Sequence, residues 1–88
     1  MSTVKLSKQA AQFLEGVSGK QKRQLEAGLD SLSTTPYGGK PLKGELRGYW
    51  SFRVGVYRII YVIKETEVIV EVLRIQHRKE VYEKLRRL

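Results

Sequence analysis

Two spacings of apolar residues divide this chain. From Ala10 to Leu32 they recur every three or four positions, as Ala10, Phe13, Leu14 and Val17, then Leu25, Leu29 and Leu32. That is the period of helices with one buried stripe. Ser7 stands where the first helix needs an N-cap, and Gly16 or Gly19 can end it. The second helix is predicted from about Lys20 to Leu32, with Lys20, Lys22, Arg23, Glu26 and Asp30 in solvent. Ahead of this helical hairpin, Val4-Lys5-Leu6 alternates and reads as an edge strand. After it, Ser33 to Gly48 is punctuated by Pro36, Gly38, Gly39, Pro41, Gly44 and Gly48, and reads as a long loop. Three strands follow: Tyr49 to Val54, Val56 to Ile63 after a turn at Gly55, and Val68 to Ile75 after Lys64-Glu65-Thr66-Glu67. Such short connections make an antiparallel meander. Arg78 to Leu88, with Val81, Leu85 and Leu88 at helical spacing, closes the chain as a short helix. The predicted fold is α+β: an N-terminal strand and helical hairpin packed on one face of the meander, in a single domain spanning residues 1–88.

Strand parity then sorts the side chains. Trp50, Phe52 and Val54 share one face of their strand, and Tyr49, Ser51 and Arg53 the other. In the next strand Tyr57, Ile59, Tyr61 and Ile63 oppose Val56, Arg58, Ile60 and Val62. A tight hairpin about Gly55 brings Arg53 and Arg58 to the same face, with the apolar sets beneath the helices. The third strand is apolar on both faces apart from Glu71 and Arg74, so parity does not decide it; it reads as central. Two guanidiniums side by side repel unless a carboxylate such as Glu71 or a bound anion lies between them.

The charge of the chain bears on that choice. Seventeen Lys and Arg against nine Asp and Glu give +8, with a pI near 10.0, an excess that favours a polyanionic partner. The chain has no cysteine, so disulfides, thiolate metal sites and a cysteine nucleophile are excluded. One histidine without cysteine does not make a zinc site, and no cofactor is expected. Gly38-Gly39-Lys40 lacks the spacing of a nucleotide-binding P-loop and runs into Pro41. No segment is apolar enough to span a bilayer, and Met1 to Gln12 is too polar for a signal peptide, so the expected location is the cytoplasm, without a membrane partner.

At the end of the third strand stand Gln76-His77-Arg78, with Tyr82 one helical turn on. A third guanidinium, an imidazole and a phenol are thus placed where they could close over the arginine face. Such a set suits a phosphodiester. Arg53, Arg58 and Arg78 match phosphate geometry, His77 can move protons near neutral pH, and Tyr82 can stack on a base or transfer a proton. RNA cleavage by the substrate's own 2′-hydroxyl needs charge neutralisation, one proton acceptor and one proton donor.

The order LKGELRGYWSFRVGVYRIIYVI, then VIVEVLRIQHRKEVY, resembles the RelE/ParE superfamily of bacterial and archaeal toxins. The shared features are L-K-G-x-L at Leu42 to Leu46, a [YW]-x-[FIL]-R-V-G strand, a Y-R-[IV]-[IV]-Y strand and H-R-x-x-V-Y near the C-terminus. The resemblance covers nearly the whole chain and implies a fold of microbial-RNase type. It also implies a toxin of a type II toxin–antitoxin pair. The RelE branch cuts mRNA in the ribosomal A site with basic residues on the sheet and a C-terminal tyrosine, which match Arg53, Arg58, Arg78 and Tyr82. Ser51 falls where RelE carries a further lysine, and His77 lies in a G-H-R-like motif with Gln76 in place of glycine. The general base stays open between Tyr82, His77 and a substrate-assisted route. On this reading Lys40, Lys43 and Arg47 in the loop, with Lys20, Lys22 and Arg23, contact ribosomal RNA. The partners expected are the ribosome with its mRNA and a cognate antitoxin that covers the positive surface with acidic side chains. The alternatives are a ParE-like inhibitor of DNA gyrase without a nuclease centre, and a non-catalytic RNA-binding module.

Overall fold

The computed structural model describes residues 2–77. Five strands form one sheet in the order β1-β5-β4-β3-β2, where β1 is Thr3–Leu6, β2 Lys40–Pro41, β3 Trp50–Val54, β4 Tyr57–Lys64 and β5 Ile69–His77. β1 runs parallel to β5, and the other pairings are antiparallel. Two helices, α1 (Lys8–Gly16) and α2 (Gly19–Thr34), pack on one sheet face. The expected α+β class is observed, and β5 lies inside the sheet as the pattern suggested. The terminal helix read from Arg78 onward falls outside the described residues.

The core lies between the helices and this sheet face. Ala10, Leu25, Leu32, Ile59, Tyr61, Val70, Val72 and Ile75 are fully buried there. Ser7 caps α1 as expected, its hydroxyl oxygen accepting from the Ala10 N–H at 3.1 Å. Gly28 is where α2 meets β3; a Cβ there would come within 2.7 Å of Val54 Cγ2. The β3–β4 hairpin turns on Gly55-Val56, with φ +59° at Gly55, as a two-residue II′ connection requires. Val56 therefore belongs to the turn, not to the strand predicted for it.

The expected loop from Ser33 to Gly48 is more ordered than its punctuation suggested. It holds two 3-10 turns, Pro36–Gly38 and Gly44–Leu46, and the two-residue strand β2. Leu42, Leu46 and Tyr49 pack on buried Ile60 and so cover part of the sheet face away from the helices.

In β5 the alternation fails at one point. Ile60 pairs with Arg74 and Tyr61 with Val72, so Leu73 is an extra residue in a β-bulge. Val70, Val72 and Ile75 can all enter the core only because of it. The backbone groups that β1 does not reach here are taken by the start of α1. Ser7 donates its hydroxyl to the Leu73 carbonyl at 2.6 Å, and the Gln9 amide both donates to the Ile75 carbonyl and accepts from its N–H, each at 3.1 Å. The bulge is thus a satisfied, fixed feature.

Candidate nucleic-acid interface

Opposite the helices, three basic residues meet. Arg53 and Arg58 pair directly across β3 and β4, and Lys40 pairs directly with Ser51 across β2 and β3. Direct partners in an antiparallel ladder share a face, with Cβ atoms about 4.5–5.5 Å apart. Ser51, Arg53 and Arg58 therefore form one patch, and Lys40 enters it from the neighbouring strand. A cleft of about 250 Å³ opens among them, lined by Gly38, Gly39, Lys40, Ser51, Arg53 and Arg58 with Phe52. Ser51 is buried, and its hydroxyl accepts from Arg58 Nη1 at 3.3 Å, a long contact that steers the guanidinium. Arg53 and Lys40 are exposed, whereas Arg58 is half-buried.

The wall made by Gly38, Gly39 and Lys40 is pinned by Tyr61. This tyrosine is fully buried; its hydroxyl donates to the Pro36 carbonyl at 2.8 Å and accepts from the Gly39 N–H at 3.1 Å. Burial pushes its ionisation above the usual tyrosine range, and the Gly39 N–H partly offsets the rise. A side chain at position 39 would collide with the Tyr61 hydroxyl at 2.6 Å and the Ser51 carbonyl at 2.7 Å, so only glycine fits. Trp50 stacks on Tyr61 and meets Tyr37 edge to face, carrying the support to the outside of the loop. The exposed Tyr37 hydroxyl bonds the Glu65 carboxylate, which raises the tyrosine's own ionisation.

Other predicted site residues are distributed differently. Lys43 and Arg47 flank the turn that covers Ile60 and stand exposed on the arginine side of the sheet. Lys20, Lys22 and Arg23 lie in the first turns of α2, in the helical layer, and are not brought to the arginine patch. His77 pairs with Tyr57, and its ring meets the Tyr57 ring edge to face at 6.5 Å; Tyr57 in turn packs with Phe13 against the core. Strand parity therefore puts His77 on the face opposite Arg58, contrary to the expectation that it would join the arginines. Arg78 and Tyr82 fall outside the described residues. Sequence reading passed over Tyr61 as a support, because only the fold brings Pro36 and Gly39 to its hydroxyl. Among the described residues no cluster of three side chains could hold a metal ion, and no helix is long and apolar enough to cross a membrane.

Comparison with known proteins gives the arrangement its context. Residues 4–82 match the family model of the ParE toxin of type II toxin–antitoxin systems. The chain belongs to this RelE/ParE toxin family. Toxin RelG of Mycobacterium tuberculosis is 41% identical over 59 residues, 66% of this chain and 68% of the relative. The toxin–antitoxin complex RelBE2 of the same organism matches with a TM-score of 0.79 at 33% identity, over 88% of this chain and 98% of that one. The isolated Escherichia coli RelE toxin shares the fold at a TM-score of 0.74 and 19% identity, over 99% and 97% of the two chains. Within the family fold, this toxin presents its basic patch on the sheet face opposite α1 and α2.

Proposed function

We propose that this toxin is a metal-independent endoribonuclease that cuts mRNA on the ribosome, in the A site, and so arrests translation. The observation that carries the reading is the cleft where Lys40, Arg53 and Arg58 converge around the Ser51 hydroxyl. Like charges in direct register are unfavourable on a sheet, and a bound phosphodiester converts their repulsion into shared attraction.

In the proposed reaction the 2′-oxygen attacks the adjacent phosphorus. The P–O2′ bond forms and the P–O5′ bond breaks, leaving a 2′,3′-cyclic phosphate and a 5′-hydroxyl. One proton leaves the 2′-oxygen and one is delivered to the 5′-oxygen, so no water is consumed. Arg53 and Arg58 neutralise the charge that grows on the non-bridging oxygens, an effect strengthened by the partial burial of Arg58. Lys40 supplies a third cation from β2, beside the position that Ser51 leaves uncharged. The place of His77 beside Tyr57 argues against it as the base, which leaves Tyr82 or a phosphate oxygen of the substrate. Arg78 is assigned a share in neutralising the phosphate on the strength of the resemblance.

Lys43 and Arg47 extend the positive surface and would hold ribosomal RNA by its phosphates, without reading sequence. The site of action is then the cytoplasm. The partner that silences the toxin is a cognate antitoxin, as the RelBE2 assembly suggests, with acidic side chains over the basic patch.

The family model that matches is that of the ParE toxin, and the second reading is the inhibition of DNA gyrase that the ParE resemblance implies. Expression in a bacterial host with mapping of mRNA 5′ ends separates the two. Cuts within codons on translating ribosomes are expected. Intact message accompanied by gyrase-linked DNA breaks would overturn the nuclease reading.

A further inference from the structure

The bulge at Leu73 has a second effect besides filling the core. In a regular strand Val70, Val72, Arg74 and Gln76 share one face. Because Val70 and Val72 point into the core, an unbroken β5 would carry Arg74 and Gln76 into it as well. The extra residue turns both out to the basic face, where Arg74 pairs with Ile60 and Gln76 with Arg58. Bulges beside functional sites commonly re-aim side chains in this way.

Among the described residues no hydrogen bond or ion pair holds Arg74 there, although it is half-buried. Its Nε is buried without a hydrogen-bond partner, and so is the Gln76 Oε1 two positions along the same face; donor and acceptor do not bond each other. Glu71 lies on this face of β5 but is engaged with Lys64 at 3.2 Å. Among the described residues, then, Arg74 has no carboxylate. Its position is diagonal to Arg58, a separation of about 7–8 Å on such a ladder, within reach of the next phosphate of one strand.

We infer that Arg74 is a further phosphate ligand, binding the RNA phosphate next to the one held at Arg53 and Arg58. This inference deepens the ribonuclease reading and rests on it for the identity of the polyanion. The track of the RNA would run along the row from Lys40 through Arg53 and Arg58 to Arg74, toward the Lys64–Glu71 pair.

Salt dependence tests it. Binding of a 2′-O-methyl single-stranded oligonucleotide, which cannot be cut, is measured against salt concentration for the wild type, Arg74→Met, Arg74→Lys and Arg58→Met, with thermal melts alongside. Arg74→Met should weaken binding and reduce the slope of log affinity against log salt by about 0.7, the value for one phosphate on a single strand. Arg74→Lys should restore most of the slope. If Arg74→Met keeps the wild-type slope, whether or not its melting point falls, Arg74 is a packing residue and the inference is wrong. The same slope loss without rescue by lysine also overturns it, because a charge contact does not require the fork. Failure of the parent reading looks different: the wild type binds with the expected slopes yet leaves mRNA on ribosomes uncut.

Discussion

Arg53 and Arg58 stand directly across from one another on β3 and β4, two permanent positive charges in ladder register. Such a pair lowers stability relative to a neutral pair. Arg53→Gln is therefore expected to raise the urea midpoint slightly while weakening binding of RNA and cleavage on the ribosome. A variant that loses stability and keeps full activity would show that the pair serves the fold rather than the ligand.

The buried Tyr61 hydroxyl makes a pH prediction. Its ionisation is raised in the folded chain above the ordinary value of 10.0. Once pH passes that ordinary value, the unfolded chain begins to lose the tyrosine proton while the folded chain keeps it. The contribution of Tyr61 is thus complete below pH 10 and declines as pH rises through the elevated folded value. Denaturant titrations at rising pH should show this decline in the wild type and a smaller one in Tyr61→Phe. At neutral pH the same variant should be less stable by about 1–3 kcal/mol, through loss of partners for Pro36 and Gly39. The mobility of Lys40 should increase with it, seen as faster amide exchange in Gly38, Gly39 and Lys40.

Gly28 sets two effects against each other. Helix propensity alone favours alanine in mid-helix by about 1 kcal/mol. A Cβ at 2.7 Å from Val54 Cγ2 would instead force α2 away from β3, and overpacking of this kind costs about 1–3 kcal/mol. The steric effect is expected to prevail, so Gly28→Ala should lower the melting temperature. A rise would mean that Val54 rotates out of the way.

Gln9 is the other support of the site, although it lies in α1. Its amide holds both backbone groups of Ile75 beside the bulge. Gln9→Leu should cost about 1–3 kcal/mol for the buried groups left unpaired. Hydrogen exchange should quicken at Ile75 first, ahead of the β3–β4 hairpin.

These outcomes follow from features that differ in how openly the sequence displays them. The pairing of Arg53 with Arg58 was readable, because Gly55 fixes a tight turn and parity does the rest. The first helix and its Ser7 cap were readable for a similar reason: each depends on neighbours a few positions away. The strand β5 and its central place were readable, but the facing of its residues was not. Its bulge breaks the period of two, and the groups that satisfy it, Ser7 and Gln9, lie far off in the chain. Ile60 looked like an open-face residue; its cover, Leu42 and Leu46, sits in a stretch whose glycines and prolines drown any period. His77 was grouped with the arginines by proximity in the chain, whereas one step of strand parity turns it toward Tyr57.

The margins of the sheet have a consequence for how this molecule behaves in a crowded cell. One margin is the four-residue β1, which carries Lys5, and the other is the two-residue β2, which ends at Pro41. Short, charged or proline-ended borders offer little template for strand-to-strand polymerisation. Self-association by that route is thereby discouraged, even as newly made copies accumulate.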